Sequence, residues 1–247
     1  MKKLFIVFVL MFSILYADID EAIKIYYAKD FKKVLPMFEQ LQKDGNIESN
    51  YYLGTMYYSA RGVKQDYKKA FEYYTLASSL PNKKRLESIL NLANMYTQGQ
   101  GVKKDEQKAF TLLKILDEKN IGLAQLVMGS MYEGGNGVQK DLKKAIFYYE
   151  KGCNTKKTYP KACYFAGDYY ENGVAVEKNY ETAKKYYEKG CEGGVEESCE
   201  AIKNMKEPLS FYQKYFWHMI IIGNMIALLR IWKHKKEKKG YWKNRKN

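Results

Sequence analysis

Residues 61–74 read RGVKQDYKKAFEYY, and residues 135–153 repeat the same order of residue types as GNGVQKDLKKAIFYYEKGC. The shared elements are a Gly-Val turn, an acidic residue, a Lys-Ala pair and an apolar pair. The pattern occurs four times in weaker or stronger form, with valines at positions 63, 102, 138 and 176 and alanines at 70, 109, 145 and 183. Both series step by 39, 36 and 38 residues. A period of this length predicts a stacked array of helix hairpins.

Each repeat divides into two helices. In the first helix a small residue is followed three positions later by tyrosine, which predicts that the ring fills the space above the small residue. These pairs are Gly54 and Tyr57, Ala93 and Tyr96, Gly129 and Tyr132, and Gly167 and Tyr170. The second helix is predicted to begin at residue types that cap helices, namely Asp66, Asp105, Asp141 and Asn179. The alanines behind these caps lie on an apolar stripe that a neighbouring hairpin must cover.

The segments YYLGTMYY (51–58) and VMGSMYEGG (127–135), together with the two cassettes quoted above, resemble the Sel1-like repeat, a relative of the tetratricopeptide repeat. The resemblance implies an all-α fold, a right-handed α/α solenoid of about four repeats plus a capping helix over residues 48–206. Ala60, Ala93 and Ala175 depart from the pattern because they stand at glycine positions. Residues 18–47 are predicted to form a divergent opening hairpin, since the ends of solenoids face water.

The amino terminus has the layout of a secretory signal peptide, predicted over residues 1–17. Two lysines precede an apolar run, and Ala17 lies just before an acidic residue. Leu15 fits the small-residue preference of the cleavage site poorly, so the segment can also remain attached as an amino-terminal anchor. Both alternatives imply export.

Residues 211–232 form a predicted transmembrane helix, because an apolar stretch is framed there by aromatic residues. Nine Lys or Arg residues against Glu237 alone follow over residues 230–247, which is typical of a cytoplasmic flank. The basic tail, residues 233–247, is therefore predicted to be cytoplasmic and the repeats periplasmic, with the inner membrane as a partner. The alternatives are an amphipathic helix on the bilayer surface, or a terminal helix packed on the array of a secreted protein.

The formal net charge of +14 would by itself suggest a nucleic-acid partner. Most of the excess lies in the two ends of the chain, whereas residues 18–208 hold nearly equal numbers of basic and acidic side chains. The tail is therefore explained by anionic lipid headgroups, and no nucleic-acid partner is expected.

The four cysteines follow the repeat. Cys153 and Cys191 end second helices, and Cys163 and Cys199 lie in the first helices that follow. The spacing allows local bridges, Cys153 to Cys163 and Cys191 to Cys199, which suit an exported domain. It does not fit a zinc site, and no metal is expected. The segments KGCNTKKTYPKAC (151–163) and KGCEGGVEESC (189–199) resemble the helicobacter cysteine-rich proteins, although the earlier repeats carry no cysteine.

That resemblance implies penicillin binding and weak β-lactamase activity, and hydrolysis of β-lactams or cell-wall amides is the alternative function. The residues do not support it. Both histidines, His218 and His234, lie outside the repeats, and the Ser-x-x-Lys, Ser-Asp-Asn and Lys-Thr-Gly motifs are absent from the sequence. We therefore predict no catalytic residue and no cofactor.

One polar position recurs in the first helices, directly after the small residue. It holds Thr55, Asn94, Ser130 and Asp168, and Ser59, Gln98 and Asn172 extend the set. Because first helices line the concave side of such arrays, these residues are the candidate binding groove; a merely solvated face is the alternative. The leading prediction is a membrane-anchored periplasmic scaffold that binds a protein, a peptide or a cell-wall fragment.

Overall fold

The computed structural model describes residues 19–155, 159–205 and 216–230, and within these ranges the chain is helical and contains no strand. The helices in chain order are α1 (19–27), α2 (Phe31–Lys43), α3 (Ile47–Tyr58), α4 (Tyr67–Ser79), α5 (Arg85–Gln98), α6 (Glu106–Glu118), α7 (Gly122–Gly134), α8 (Leu142–Cys153), α9 (Pro160–Asn172), α10 (Tyr180–Glu192), α11 (Glu196–Asn204) and α12 (216–230). The predicted signal peptide, residues 1–17, and the predicted basic tail, residues 233–247, lie outside the described residues.

The second helices α4, α6, α8 and α10 begin at the predicted caps. The side chain of Asp66 accepts a hydrogen bond from the Lys69 amide at 3.0 Å, and Asp105 accepts one from the Lys108 amide at 2.9 Å. Asp141 and Asn179 repeat the bond to the amides three residues on, at 3.0 and 2.9 Å. Each bond satisfies one of the amides that the first helical turn leaves without a partner. The predicted starts of all four second helices are confirmed.

The hairpins bury their apolar sides against one another. Helix α4 packs on α3 and on α5, and the same alternation continues to α9 and α10. The four alanines behind the caps are fully buried, at 0% exposure. One core cluster joins Ile89 of α5, Leu113 of α6 and Met128 of α7. Since a cluster of this kind draws on two successive hairpins, no hairpin covers its own stripe, as the sequence predicts.

In three of the four first helices the small residue is a glycine, and it contacts a tyrosine other than the predicted one. A Cβ atom added at Gly129 would lie 2.6 Å from ring carbons of Tyr149 on the second helix, and Gly54 and Gly167 stand in the same relation to Tyr74 and Tyr187. In the second hairpin, Ala93 replaces the glycine and Leu113 replaces the tyrosine. The prediction that the ring three residues on fills this space is therefore wrong.

The tyrosines three residues after the small residue stack on second helices instead. The ring pairs are Tyr57 on Tyr73, Tyr132 on Tyr148 and Tyr170 on Tyr186, with centroids 5.7, 5.6 and 5.8 Å apart. The two contacts differ because residues three positions apart on a helix do not point in the same direction. The small residue and the tyrosine therefore contact different rings of the Tyr-Tyr pair.

The turn between the two helices of a hairpin touches the preceding hairpin. A Cβ atom at Gly101 would meet the carbonyl oxygen of Tyr67, at the start of α4, and Gly137 meets Glu106 of α6 in the same way. Ala175 stands at this position in the fourth repeat and keeps the left-handed conformation, with φ at 58°. Ala60, at the first turn position of the first repeat, has φ at 54°. Both alanines therefore preserve the turn at some conformational cost.

Helices α1 and α2 cover the amino-terminal side of α3. Phe38 of α2 stacks on Tyr52 of α3 with centroids 4.9 Å apart, and Tyr26 of α1 meets the same ring edge-on at 5.2 Å. The guanidinium of Arg61, in the first turn, donates to the hydroxyl of Tyr26 at 2.5 Å. Tyr26, Phe38 and Tyr52 are all buried, so this pair of helices closes the amino-terminal end of the core.

Helix α12 belongs to a second unit of the chain, which begins at Asn204. Its apolar side chains are exposed, among them Trp217, Ile221 and Leu228. In the described part of the chain no helix combines the length and the apolar character that a membrane crossing needs. Residues 211–215 and 231–232 of the predicted transmembrane segment lie outside the described residues.

Candidate functional site

The candidate groove residues lie on one helix each, α3, α5, α7 and α9. These first helices are neighbours in the stack, since α3 contacts α5 and α7 contacts α9. Asn94 and Ser130 are exposed, whereas Thr55 and Asp168 are half-buried. We call this surface the first-helix face. It presents one accessible polar side chain from each hairpin, directly after the buried small residue.

Tyrosine hydroxyls from the second helices reach the same face. Because the rings of Tyr74, Tyr149 and Tyr187 lie against the glycines, their hydroxyl groups reach polar side chains of the first helices. The Tyr74 hydroxyl donates to Thr55 Oγ1 at 3.2 Å. The Tyr149 hydroxyl donates to Glu133 Oε2 at 2.7 Å, and the Tyr187 hydroxyl donates to Glu171 Oε2 at 2.7 Å. The face is therefore backed by a buried layer of phenols.

These phenols are neutral hydrogen-bond donors at physiological pH. Burial raises the pKa of Tyr74, Tyr149 and Tyr187 above the ordinary tyrosine value. The carboxylates of Glu133 and Glu171 raise the pKa of Tyr149 and Tyr187 further, because the hydrogen bond favours the protonated phenol.

In the amino-terminal half of the first-helix face, on α3 and α5, the polar groups are uncharged hydroxyls and amides. Asn94 Nδ2 donates to the Tyr58 hydroxyl at 3.2 Å, which links α5 to α3. The same hydroxyl donates to Gln100 Oε1 at 2.9 Å. Thr55 Oγ1 donates to the Tyr51 carbonyl at 2.9 Å. Amide and hydroxyl groups of this kind can both donate and accept, so they can bond to the backbone of an extended peptide.

The carboxyl-terminal half is acidic. Glu133 of α7 accepts a second tyrosine hydroxyl, that of Tyr169 in α9, at 2.8 Å, so one carboxylate joins two hairpins. Asp168 accepts from Asn172 Nδ2 at 2.9 Å. Burial raises the pKa of Asp168, and the nearby carboxylates Glu171 and Glu133 raise it further. The two halves of the face therefore offer different chemistry.

The sequence prediction finds part of this surface and misses the glutamates. Glu133 and Glu171 stand four residues after the central glycine, where the earlier hairpins have Tyr58 and Thr97. Positions one and four after the glycine lie on the same helix face, so the spacing contains the signal. Of the three residues that extend the candidate groove, Ser59 and Gln98 are exposed at helix ends, and Asn172 donates a hydrogen bond to Asp168.

The cysteines form the two local disulfides, Cys153–Cys163 and Cys191–Cys199, with Cα atoms 4.7 and 4.8 Å apart. Within the described residues, no group of three or more histidine, cysteine, aspartate or glutamate side chains is arranged to hold a metal ion. The arrangement that remains is an accessible polar face on a rigid, tyrosine-backed stack.

A protein-family comparison matches the Sel1 repeat at residues 47–82, 86–115, 122–154 and 160–195, which together make up more than half of the chain. The matched boundaries agree with the hairpins α3–α4, α5–α6, α7–α8 and α9–α10. A search of curated proteins gives no match.

Solved structures give three further likenesses. A Sel1 repeat protein from Oxalobacter formigenes is 28% identical, with a TM-score of 0.67 over 74% of this chain and 73% of that one. A protective antigen of uropathogenic Escherichia coli that displays an SLR fold is 26% identical, with a TM-score of 0.70 over 77% of this chain and 41% of that one. Helicobacter pylori cysteine rich protein B is 33% identical, with a TM-score of 0.42 over 56% of this chain and 96% of that one.

Proposed function

The chain belongs to the Sel1 repeat family, and on that premise we propose that its array binds a protein or peptide partner along the first-helix face. A Sel1 repeat array is a scaffold suited to protein–protein interaction. The observation that carries the proposal is the register of Thr55, Asn94, Ser130 and Asp168, one accessible polar group from each hairpin. Groups spaced by one repeat can bond to successive parts of an extended partner.

The phenols behind the face support this proposal, because a preformed surface binds at lower entropic cost. The hydroxyl of Tyr149 bonds to Glu133 at 2.7 Å and that of Tyr187 bonds to Glu171 at 2.7 Å, so the carboxylates are held in place before a partner arrives. The partner contact at α3 and α5 is then polar and uncharged, and the contact at α7 and α9 is with carboxylates.

A pair of photoreactive substitutions tests the proposal in intact cells. We expect a photoreactive residue at Asn94 and one at Ser130 to capture the same species, because both positions belong to one face. The matched control is Lys143, which is exposed on the second helix α8. Capture of different species at positions 94 and 130, or equal capture at position 143, would contradict a single face. When the photoreactive residue is at position 130, the Asn94→Arg substitution is expected to abolish the adduct.

We also propose that the repeats act in the periplasm and are held at the inner membrane by residues 211–232, with residues 233–247 in the cytoplasm. The layout of residues 1–17, the two disulfides and the exposed apolar side chains of α12 support this proposal. Carbonate extraction of membranes tests it. Retention in the pellet is expected, and release into the supernatant favours a secreted protein instead.

A further inference from the structure

The two disulfides share one construction. Each joins the last turn of a second helix to the first turn of the next first helix, and a glycine precedes its first cysteine. Gly152 lets Ala162 approach α8, and Gly190 lets Ser198 approach α10 in the same way. The chemical setting of the two bonds is therefore nearly the same.

Access to the two bonds differs. Cys153 and Cys163 are 1% and 0% exposed, whereas Cys191 and Cys199 are both half-buried. Helix α9, which carries Cys163, packs against both α8 and α10. Helix α11, which carries Cys199, follows the last complete hairpin. A thiolate must reach a sulfur atom to reduce a disulfide, so the inner bond is open to attack only after local unfolding of the stack.

We infer that Cys191–Cys199 is a thiol–disulfide exchange site for a dithiol reductant, and that Cys153–Cys163 is a permanent structural bond. Reduction of the outer bond releases α11 from the last hairpin. The inference does not depend on the partner proposed above.

The helix ends decide which sulfur is attacked. Cys199 lies in the first turn of α11, where its amide bonds to the Val195 carbonyl at 3.4 Å, and Cys191 is in the last turn of α10. The amino-terminal end of a helix stabilises a thiolate and the carboxyl-terminal end disfavours one. The carboxylates of Glu196 and Glu197 in the first turn of α11 and the ammonium of Lys189 in the last turn of α10 act in the opposite sense, but all three side chains are exposed and therefore screened by solvent. A thiolate of the dithiol therefore bonds to Cys191 Sγ, the bond between the two cysteines breaks, and Cys199 leaves as a thiolate.

The second step completes the exchange. The remaining thiolate of the reductant attacks its own sulfur in the mixed disulfide, and Cys191 leaves as a thiolate. The reductant loses two electrons and becomes a disulfide, while the two protein sulfurs gain those electrons and take up protons from solvent. No other reactant is needed.

The contact between α11 and α10 explains why the bond matters to this helix. Ser198 is fully buried against Gly190, yet its hydroxyl oxygen makes no hydrogen bond. Burying an unsatisfied hydroxyl costs free energy, so the non-covalent contact is weak. The disulfide next to it holds α11 in place, and we expect its loss to free residues 196–204.

Graded reduction of the oxidised, folded, full-length protein tests the inference. The protein is treated with increasing dithiothreitol, alkylated after short times and mapped by peptide mass spectrometry. We expect Cys191 and Cys199 to become alkylated at least about tenfold faster than the inner pair, since only the inner bond requires opening of the stack. Equal rates, or faster reduction of Cys153–Cys163, would overturn the inference.

Two further measurements test the direction of attack and the release of α11 separately. With 2-mercaptoethanol, a monothiol, the trapped mixed disulfide is expected on Cys191; an adduct on Cys199 instead would overturn the direction of attack. Hydrogen exchange of the Cys191→Ser/Cys199→Ser variant is expected to show lost protection in residues 196–204 and unchanged protection in α8 and α9. Unchanged protection of residues 196–204 would overturn the release of α11.

Discussion

A junction is the place where a second helix meets the next first helix. The two carboxyl-terminal junctions, α8 to α9 and α10 to α11, are disulfide-bonded, whereas the two amino-terminal junctions, α4 to α5 and α6 to α7, are not. At the end of α8, Lys151 Nζ forms an ion pair with Asp117 Oδ1 of α6 at 2.6 Å. Gly152 leaves space for the close approach of α9, and Cys153 forms a disulfide with Cys163 of α9. The Lys-Gly-Cys triplet at the end of α10 repeats these three contacts, with its lysine bonded to Asn154 Oδ1 at 2.9 Å. In each triplet the lysine contacts the preceding hairpin, whereas the glycine and the cysteine contact the first helix that follows.

The junction between the second and third hairpins uses a hydrogen bond at the corresponding place. Asp117 lies in the last turn of α6 at the repeat position of Cys153 in α8, and its Oδ1 accepts from Gln125 Nε2 of α7 at 2.9 Å. Asp117 is therefore a partly buried junction residue that bonds to side chains of two other helices. The same stacking geometry is therefore held by a hydrogen bond at one junction and by a disulfide at the next two, and the inner disulfide is the better protected of the pair.

The largest expected effect comes from removing the inner covalent fastening. In the Cys153→Ala/Cys163→Ala variant we expect the free energy of unfolding to fall by about 3 kcal/mol, because a short closed loop is opened in the unfolded chain. Chemical denaturation measures the change. The matched control is Cys191→Ala/Cys199→Ala, whose global cost should be less than half as large, since α11 can detach alone. Equal costs for the two variants would contradict the difference between the inner and the outer disulfide.

A smaller effect is expected inside the hairpins. Gly129→Ala places a Cβ atom 2.6 Å from the Tyr149 ring and should cost about 2 kcal/mol of stability through overpacking. The second hairpin already shows the compatible pair, Ala93 with Leu113. Adding Tyr149→Leu to Gly129→Ala should therefore cost less than the sum of the two single changes.

Thermal or denaturant unfolding of the two single variants and the double variant completes that cycle. A coupling of about 1 kcal/mol is expected for residues in direct contact. Additive costs would mean that the ring does not determine the residue opposite to it.

A disulfide can be introduced in place of the hydrogen bond at the junction between α6 and α7. The Asp117→Cys/Gln125→Cys variant should form a third disulfide and gain about 1.5 kcal/mol under oxidising conditions, after the loss of the Lys151 ion pair is deducted. Unfolding with and without reductant measures the gain. Failure of the bond to form would show that this junction has a different geometry from the two with cysteines.

The smallest effect concerns the acidic half of the first-helix face. Since burial raises the pKa of Asp168 in the folded state, its ionisation opposes folding, and the contribution of Asp168 to stability should decline as the pH rises above about 4. Asp168→Asn should remove this decline and raise stability at neutral pH by less than about 1 kcal/mol. Parallel pH titrations of stability check the sign. A larger decline in the variant would contradict it.

The sequence predicts the period, the caps and the buried alanines, because each follows from short-range spacing along one helix. It misassigns the rings that contact the small residues, because that contact depends on the rotation of two helices about their axes. Gly129 and Tyr149 are twenty residues apart, and only their packing pairs them. The spacing places Glu133 on the first-helix face, but its role cannot be predicted from the sequence, because its partners Tyr149 and Tyr169 belong to two other helices.

Native-state hydrogen exchange of the oxidised protein, resolved helix by helix, compares the stability of the disulfide-bonded carboxyl-terminal half of the stack with that of the amino-terminal half. We predict that α8 and α9 exchange most slowly and together, that α3 to α6 open at lower free energy, and that full reduction brings the two halves to similar rates. Equal protection of the two halves before reduction, or faster exchange of α8 and α9 than of α3 to α6, would contradict it.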